Sequence, residues 1–261
     1  MRLILVAIAA LIATPALTLL LIAAKLLRVP DRTGSVYDRI PHWWARTLLW
    51  VAGVDVRVSG AEFTRGESPR IFVGNHVSWF DVLAAAAVLP RGKYVAKAEL
   101  FRVPVFGQAI RWIGMIEIDR ENRKAAFDSL ERAAAKIRAG NPVVMFAEGT
   151  RGDEYALRPF KKGPFVLAIA AQVPVVPTVV HGAIAVQPRD SFRVRSGTVH
   201  VHFLEPVPTA GLGYEDRDRL SRVVWQRMAD ALRALYGIDS PPLPAARVAA
   251  AASAATTTSP S

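Results

Sequence analysis

Seven short runs rich in β-branched and apolar residues alternate with longer stretches of helical periodicity, and this alternation limits the fold more than any other feature. The runs are Asp55–Val58, Arg70–Gly74, Lys93–Ala96, Met115–Ile118, Pro142–Ala147, Val175–Val180 and Thr198–Leu204. Among the helical stretches, Arg120–Ala139 carries Phe127, Leu130, Ala134 and Ile137 at helical spacing and stops at Gly140. Lys162–Gln172 and Glu215–Tyr236 read the same way. Strands that take turns with helices predict an α/β domain: a mostly parallel mixed sheet flanked by helices. With 261 residues and 52% hydrophobic content, the chain can bury a full-sized core.

Ahead of the first strand lies an almost unbroken apolar stretch, Leu3–Ala24, interrupted by Thr14, Pro15 and Thr18. At ~1.5 Å per residue it could just span a bilayer core of ~30 Å. Arg2 gives the positive start of a signal peptide, but the apolar core is longer than a signal's and favours a retained anchor. Lys25, Arg28, Arg32, Arg39 and Arg46 follow, against Asp31 and Asp38. The positive-inside tendency then sets the main domain on the cytoplasmic side of a cell membrane. His42–Val54 is a second apolar segment, too short to span. Its Trp43, Trp44 and Trp50 suit headgroup level or, alternatively, pack the anchor onto the domain. The expected division is 1–54 for anchor and interfacial helix, 55–239 for the main domain, and 240–261 for a Pro-, Ala-, Ser- and Thr-rich unstructured tail.

A net charge of +11 favours a polyanionic partner, and a mean hydropathy of +0.24 with an apolar N-terminus favours lipid over nucleic acid. No nucleic-acid motif with interleaved basic and aromatic residues is present. The absence of cysteine removes thiolate metal sites and any cysteine nucleophile. His200 and His202 share a strand face without a third ligand nearby in sequence, which strand alternation explains better than zinc.

Four constellations carry chemistry. In NHVSWFD, Asn75–Asp81, a histidine and an aspartate stand five positions apart, and Ser78–Asp81 reads as a capping box before the apolar Val82–Leu89. If His76 lies in the turn and Asp81 in the first helical turn, their side chains meet. MFAEGTRG, Met145–Gly152, leads a strand into a charged turn, the position where open α/β sheets bind ligands. Arg151 there could fork onto a phosphate, and Glu148 could orient it or hold a substrate hydroxyl. A basic cluster, Arg91, Lys93, Lys97, Arg102 and Arg111, contains a lysine at the carboxyl end of a strand, on the sheet edge of His76. WIGMIEIDR, Trp112–Arg120, places Asp119 and Arg120 at a strand exit, while VPVVPTVV, Val173–Val180, reads as an apolar wall shaped by Pro174 and Pro177.

NHVSWFD, then IGMIEIDR, then FAEGTRG, then VPVVPTVV, in this order and spacing, resemble the 1-acylglycerol-3-phosphate acyltransferases, a family of glycerolipid acyltransferases, over roughly residues 55–205. The intervening KAELFRVPVFGQAIRWIG and RPFKKGPF also look like family sequence. Small departures are Ala147 where the family usually has proline, Gly152 where serine is common, and a more polar Glu117. The resemblance implies acyl transfer from acyl-CoA or acyl-carrier protein to the hydroxyl of a lysophosphatidic acid, with His76 as general base and Asp81 orienting it. It assigns Lys97 and Arg151 to an acceptor phosphate clamp, with Arg120 as helper and Glu148, Gly149 and Thr150 shaping the loop. With no cysteine and no G-x-S-x-G elbow, direct attack is favoured over an acyl-enzyme. No metal or organic cofactor is called for. Membrane lipids and the acyl donor are the expected partners. The alternatives are a relative with another acceptor (glycerol 3-phosphate, another lysophospholipid or a lyso-aminolipid) and a non-catalytic basic membrane-surface protein.

Overall fold

The computed structural model describes residues 1–32, 34–66, 69–89, 91–118 and 133–243. Its centre is a seven-stranded sheet in the order β1-β7-β6-β2-β5-β3-β4. The strands are β1 Val54–Ser59, β2 Ile71–Gly74, β3 Lys93–Lys97, β4 Ile116–Ile118, β5 Val143–Phe146, β6 Val175–His181 and β7 Gly197–Phe203. Every pairing is parallel except β6 with β7, so the sheet is mixed and mostly parallel, as its strand–helix alternation predicts.

Helices cover both faces. On one, α6 Gly163–Ala171, α8 Arg217–Tyr236 and the helix over 133–138, here α5, close a core around Ile71, Val73, Val143, Val175 and Val179. On the other, α2 Val36–Ala52, α3 Trp79–Val88 and the short α7 Ala183–Val186 cover Phe72, Val144, Val176 and Val180. Successive residues of β2 point to opposite faces, and both faces are dry, which is why the central strands read as continuous apolar runs. Most of the predicted helix Arg120–Ala139, with Asp119 and Arg120, lies outside the described residues.

The apolar N-terminus forms one 25-residue helix, α1 Arg2–Leu26, long and apolar enough to cross a membrane. It runs antiparallel along α2 and also meets α4, Phe106–Trp112, around Leu21, Ile40 and Ile110. Both ends are tied to the rest of the protein. Arg2 Nη1 donates to Ala52 O at 3.1 Å beside Gly53, whose φ of +68° ends α2 and turns the chain into β1. At the far end Tyr37 Oη donates to Val29 O at 3.2 Å.

The tryptophans of α2 divide. Trp44 donates to Thr14 Oγ1 at 3.0 Å and packs α1 onto α2, whereas Trp43 and Trp50 point outward. The basic cluster does not form one patch, because β3 carries its members from one sheet edge to the other. Arg91 and Lys93 sit at the amino end and grip Asp38 of α2, with Lys93 Nζ 3.1 Å from Oδ1 in a buried pair. Ser240 and Leu243, expected in the tail, are docked: Ser240 Oγ accepts the Leu157 N–H at 2.9 Å, and Leu243 packs on the core. Composition could not show this, because the partner lies 83 residues away.

Candidate active site

The carboxyl ends of β2 and β5 are neighbours, and the chains leaving them build the site together. Asn75 closes β2. Its side-chain amide donates to Val180 O at 3.0 Å and accepts Val180 N–H at 2.8 Å, locking the strand end to β6. The next residue leaves the sheet and is caught by the loop after β5. Glu148 Oε1 accepts the His76 N–H at 3.2 Å, and Gly152 N–H donates to His76 O at 2.7 Å. Beneath it, the His76 ring stacks on Phe146 with centroids 4.4 Å apart.

The capping pattern read from Ser78–Asp81 forms. Ser78 Oγ accepts the Phe80 N–H, and Asp81 reaches back over the start of α3. One oxygen, Asp81 Oδ2, accepts Val77 N–H at 2.6 Å and Ser78 N–H at 2.7 Å and lies 3.0 Å from His76 Nδ1. An oxygen that accepts two backbone donors takes the third contact as an acceptor too. Nδ1 therefore carries its proton, and Nε2 is the ring nitrogen with a free lone pair. Asp81 is fully buried, while the His76 side chain keeps 16% exposure, enough for a substrate atom to reach it.

Glu148 does not orient Arg151. Its other oxygen accepts Arg158 Nε at 2.7 Å, and Arg158 also donates to the carbonyl of Thr150. Burial raises the Glu148 carboxyl above its ordinary range, against the opposing hydrogen bond and charge of Arg158 and the His76 N–H. Arg158 opens the family-like stretch RPFKKGPF, but its pairing with Glu148, ten residues away, could not be read from that stretch. Gly149, at φ +80°, supplies the left-handed turn that lets the loop fold back.

Arg151 instead lies over the ring of half-exposed Trp79, 5.3 Å from its centroid, with Asp190 Oδ1 3.8 Å away. Trp79 is thus the platform for the arginine. Lys97 ends β3 on the same sheet edge but one strand removed, since β5 stands between β3 and β2. β3 leaves β5 after Tyr94 and pairs with β4 from Val95 onward. Lys97 is exposed and has no polar partner among the described residues. Arg120 lies outside the described residues.

From the first turn of α3 an apolar cavity of about 340 Å³ runs beneath α1 and α2, between Trp79, Leu83 and Ala86 on one side and Val6, Trp44 and Ile110 on another. A partly exposed base with a free nitrogen near an apolar cavity, on a loop pair that also carries an arginine held on an indole ring, suits proton abstraction from an amphiphile bearing an anionic group.

Comparison with known proteins follows the same line. Residues 55–181 match the family model described as Acyltransferase. The chain is 32% identical over 180 residues to a 1-acyl-sn-glycerol-3-phosphate acyltransferase of Cocos nucifera, covering 68% of this chain and 57% of that relative. It is 35% identical over 192 residues to a putative 1-acyl-sn-glycerol-3-phosphate acyltransferase of Caenorhabditis elegans, covering 72% and 67%. For the human alpha form the identity is 35% over 188 residues, covering 71% and 66%. The chain thus spans less than two thirds of several of these relatives. The crystal structure of the 1-acyl-sn-glycerophosphate (LPA) acyltransferase PlsC of Thermotoga maritima shares the fold, with a TM-score of 0.69 at 23% identity over 92% of this chain and all of that one.

Proposed function

This chain belongs to the 1-acyl-sn-glycerol-3-phosphate acyltransferase family, and from that membership we propose that it moves an acyl group from acyl-CoA or acyl-carrier protein to the sn-2 hydroxyl of 1-acylglycerol 3-phosphate, giving phosphatidic acid. The observation that carries the proposal is the His76–Asp81 pair, with Nδ1 held at 3.0 Å and Nε2 free.

In this reading Nε2 takes the proton of the acceptor hydroxyl while its oxygen attacks the thioester carbonyl. The C–S bond then breaks, and the imidazolium returns the proton to the departing sulfur, releasing a free thiol. Asp81, held by two backbone donors, fixes the tautomer and stabilises the imidazolium. A positioned base supplies ~10²–10⁴-fold, so orientation of two bound substrates must provide much of the rest. Arg151 is the candidate for the acceptor phosphate, since its one ionic neighbour among the described residues stands at 3.8 Å and a bidentate phosphate can replace it. Lys97 remains proposed for the clamp beside Arg151, with Arg120 as helper. The apolar cavity beside α3 is sized and lined for an acyl chain.

Membrane association fits the outward face of α1, where Ile4, Leu5, Ile8, Leu11 and Ile12 are exposed. Contacts of both α1 ends with α2, and of α1 with α4, support a helix lying alongside the domain in one leaflet rather than crossing. Lys25, Arg28 and Arg32 support the cytoplasmic side.

The test is turnover by the membrane fraction with one labelled acyl-CoA and a panel of lysolipid acceptors. Activity confined to phosphate-bearing lysolipids is expected. Faster transfer to an acceptor without phosphate would favour a lyso-aminolipid acyltransferase. No transfer to any acceptor with His76 and Asp81 intact would leave a non-catalytic membrane protein.

A further inference from the structure

The loop from Gln187 to Ser196, joining α7 to β7, has features that acyl transfer does not use. Its base is closed: Arg195 N–H donates to Val186 O at 2.9 Å and Gln187 Nε2 to Ser191 O at 3.0 Å. Its tip presents Phe192, 85% exposed. Arg193 and Arg195 follow Phe192 in the chain, both exposed, and neither side chain has an ionic partner among the described residues.

The position of the loop gives these residues meaning. Buried Val194 and half-buried Gln187 line the same apolar cavity as Leu3 and Val6 of α1. Ser196 meets Gly53 where the Arg2 guanidinium docks. On its other flank, Arg189 Nη1 donates to Arg151 O at 2.9 Å and Asp190 faces the Arg151 guanidinium. The loop therefore runs from the amino end of α1 to the rim of the active site. Phe192 is two residues from Val194, which shares its cavity with Leu3 and Val6 at the amino end of α1, the helix on which Ile4, Leu5 and Ile8 are exposed.

We propose that this loop is a second membrane contact, in which Phe192 enters the acyl layer while Arg193 and Arg195 engage the phosphates of anionic lipids. An aromatic ring with cations on the same short loop settles at a membrane interface, because the ring leaves water while the charges stay among headgroups. Each arginine held near an anionic surface strengthens association about fivefold, within a Debye length of ~8 Å. Docked this way, the loop holds the rim of the site at headgroup depth, where a lysolipid presents its hydroxyl and phosphate. The proposal rests on the reading that α1 lies in a membrane.

The chain has no cysteine, so one introduced thiol is uniquely addressable. The full chain would carry an environment-sensitive fluorophore at Phe192→Cys, at Ile8→Cys on the outer face of α1, or at Tyr214→Cys, exposed before α8 on the far side of the sheet. Each is reconstituted into vesicles of phosphatidylcholine with phosphatidylglycerol, or of phosphatidylcholine alone, containing nitroxide-labelled lipid. Expected is quenching at position 192 several-fold above that at 214, stronger with phosphatidylglycerol. Arg193→Gln with Arg195→Gln should lower it to the phosphatidylcholine level. Quenching at 192 equal to that at 214, while position 8 is quenched, overturns the proposal. Quenching at 192 that ignores phosphatidylglycerol overturns the assignment to anionic lipid. If position 8 is unquenched as well, the membrane reading of α1 fails and the proposal falls with it.

Discussion

The carboxylate of Glu148 accepts the backbone N–H of His76 at 3.2 Å, joining two turns that lie 72 residues apart in the chain. Through this bond, the loop that carries Arg151 also sets the height of the histidine above the sheet. Chemistry assigned to one motif therefore depends on residues of the other.

His76→Ala and Asp81→Asn should each lower acyl transfer at least ~100-fold, the lower bound for losing a positioned base. Circular dichroism should show an unchanged fold, since the amide oxygen of the substituted side chain still accepts from the N–H groups of Val77 and Ser78. Near-normal turnover by either variant would remove the pair from the mechanism.

Arg151→Ala should raise the apparent KM for a phosphate-bearing acceptor about 10-fold or more and leave that for the acyl donor nearly unchanged, as loss of a charge-assisted contact predicts. Equal effects on both substrates would assign Arg151 to the donor or to the fold around Trp79.

Arg158→Met should destabilise the protein in a pH-dependent way. Burial raises the Glu148 carboxyl in the folded state, so the group favours folding below its unfolded range and costs stability as pH rises through the folded value. Removing the opposing cation enlarges that cost to about 1–3 kcal/mol. Thermal melts should show a clear loss near pH ~8 that narrows towards pH ~5. A gap of the same size at both would mean that Arg158 contributes packing alone.

Ala86→Phe should shorten the acyl chains that the protein accepts. Ala86 lies on α3 against the apolar cavity, and a benzyl group there fills part of its about 340 Å³. Turnover with a series of acyl-CoA lengths should shift to shorter chains while the acceptor KM stays put. An unchanged length profile would place the acyl chain elsewhere.

What the chain's order of residues determined by itself is local. The apolar runs, the helical spacings and the S-x-x-D cap need neighbours only a few residues away. From these alone the strands, α3 and the approach of Asp81 to His76 were legible. Tertiary structure decided the rest. It set β2 beside β5, so that Glu148 and Gly152 hold His76. It gave Glu148 to Arg158 and Arg151 to Trp79. It split the basic cluster between two sheet edges and tied both ends of α1 to α2. The physical reason is common to all of these: each contact joins residues whose distance is set by strand order, and strand order follows from burying both faces of the sheet at once, which no short stretch of sequence specifies.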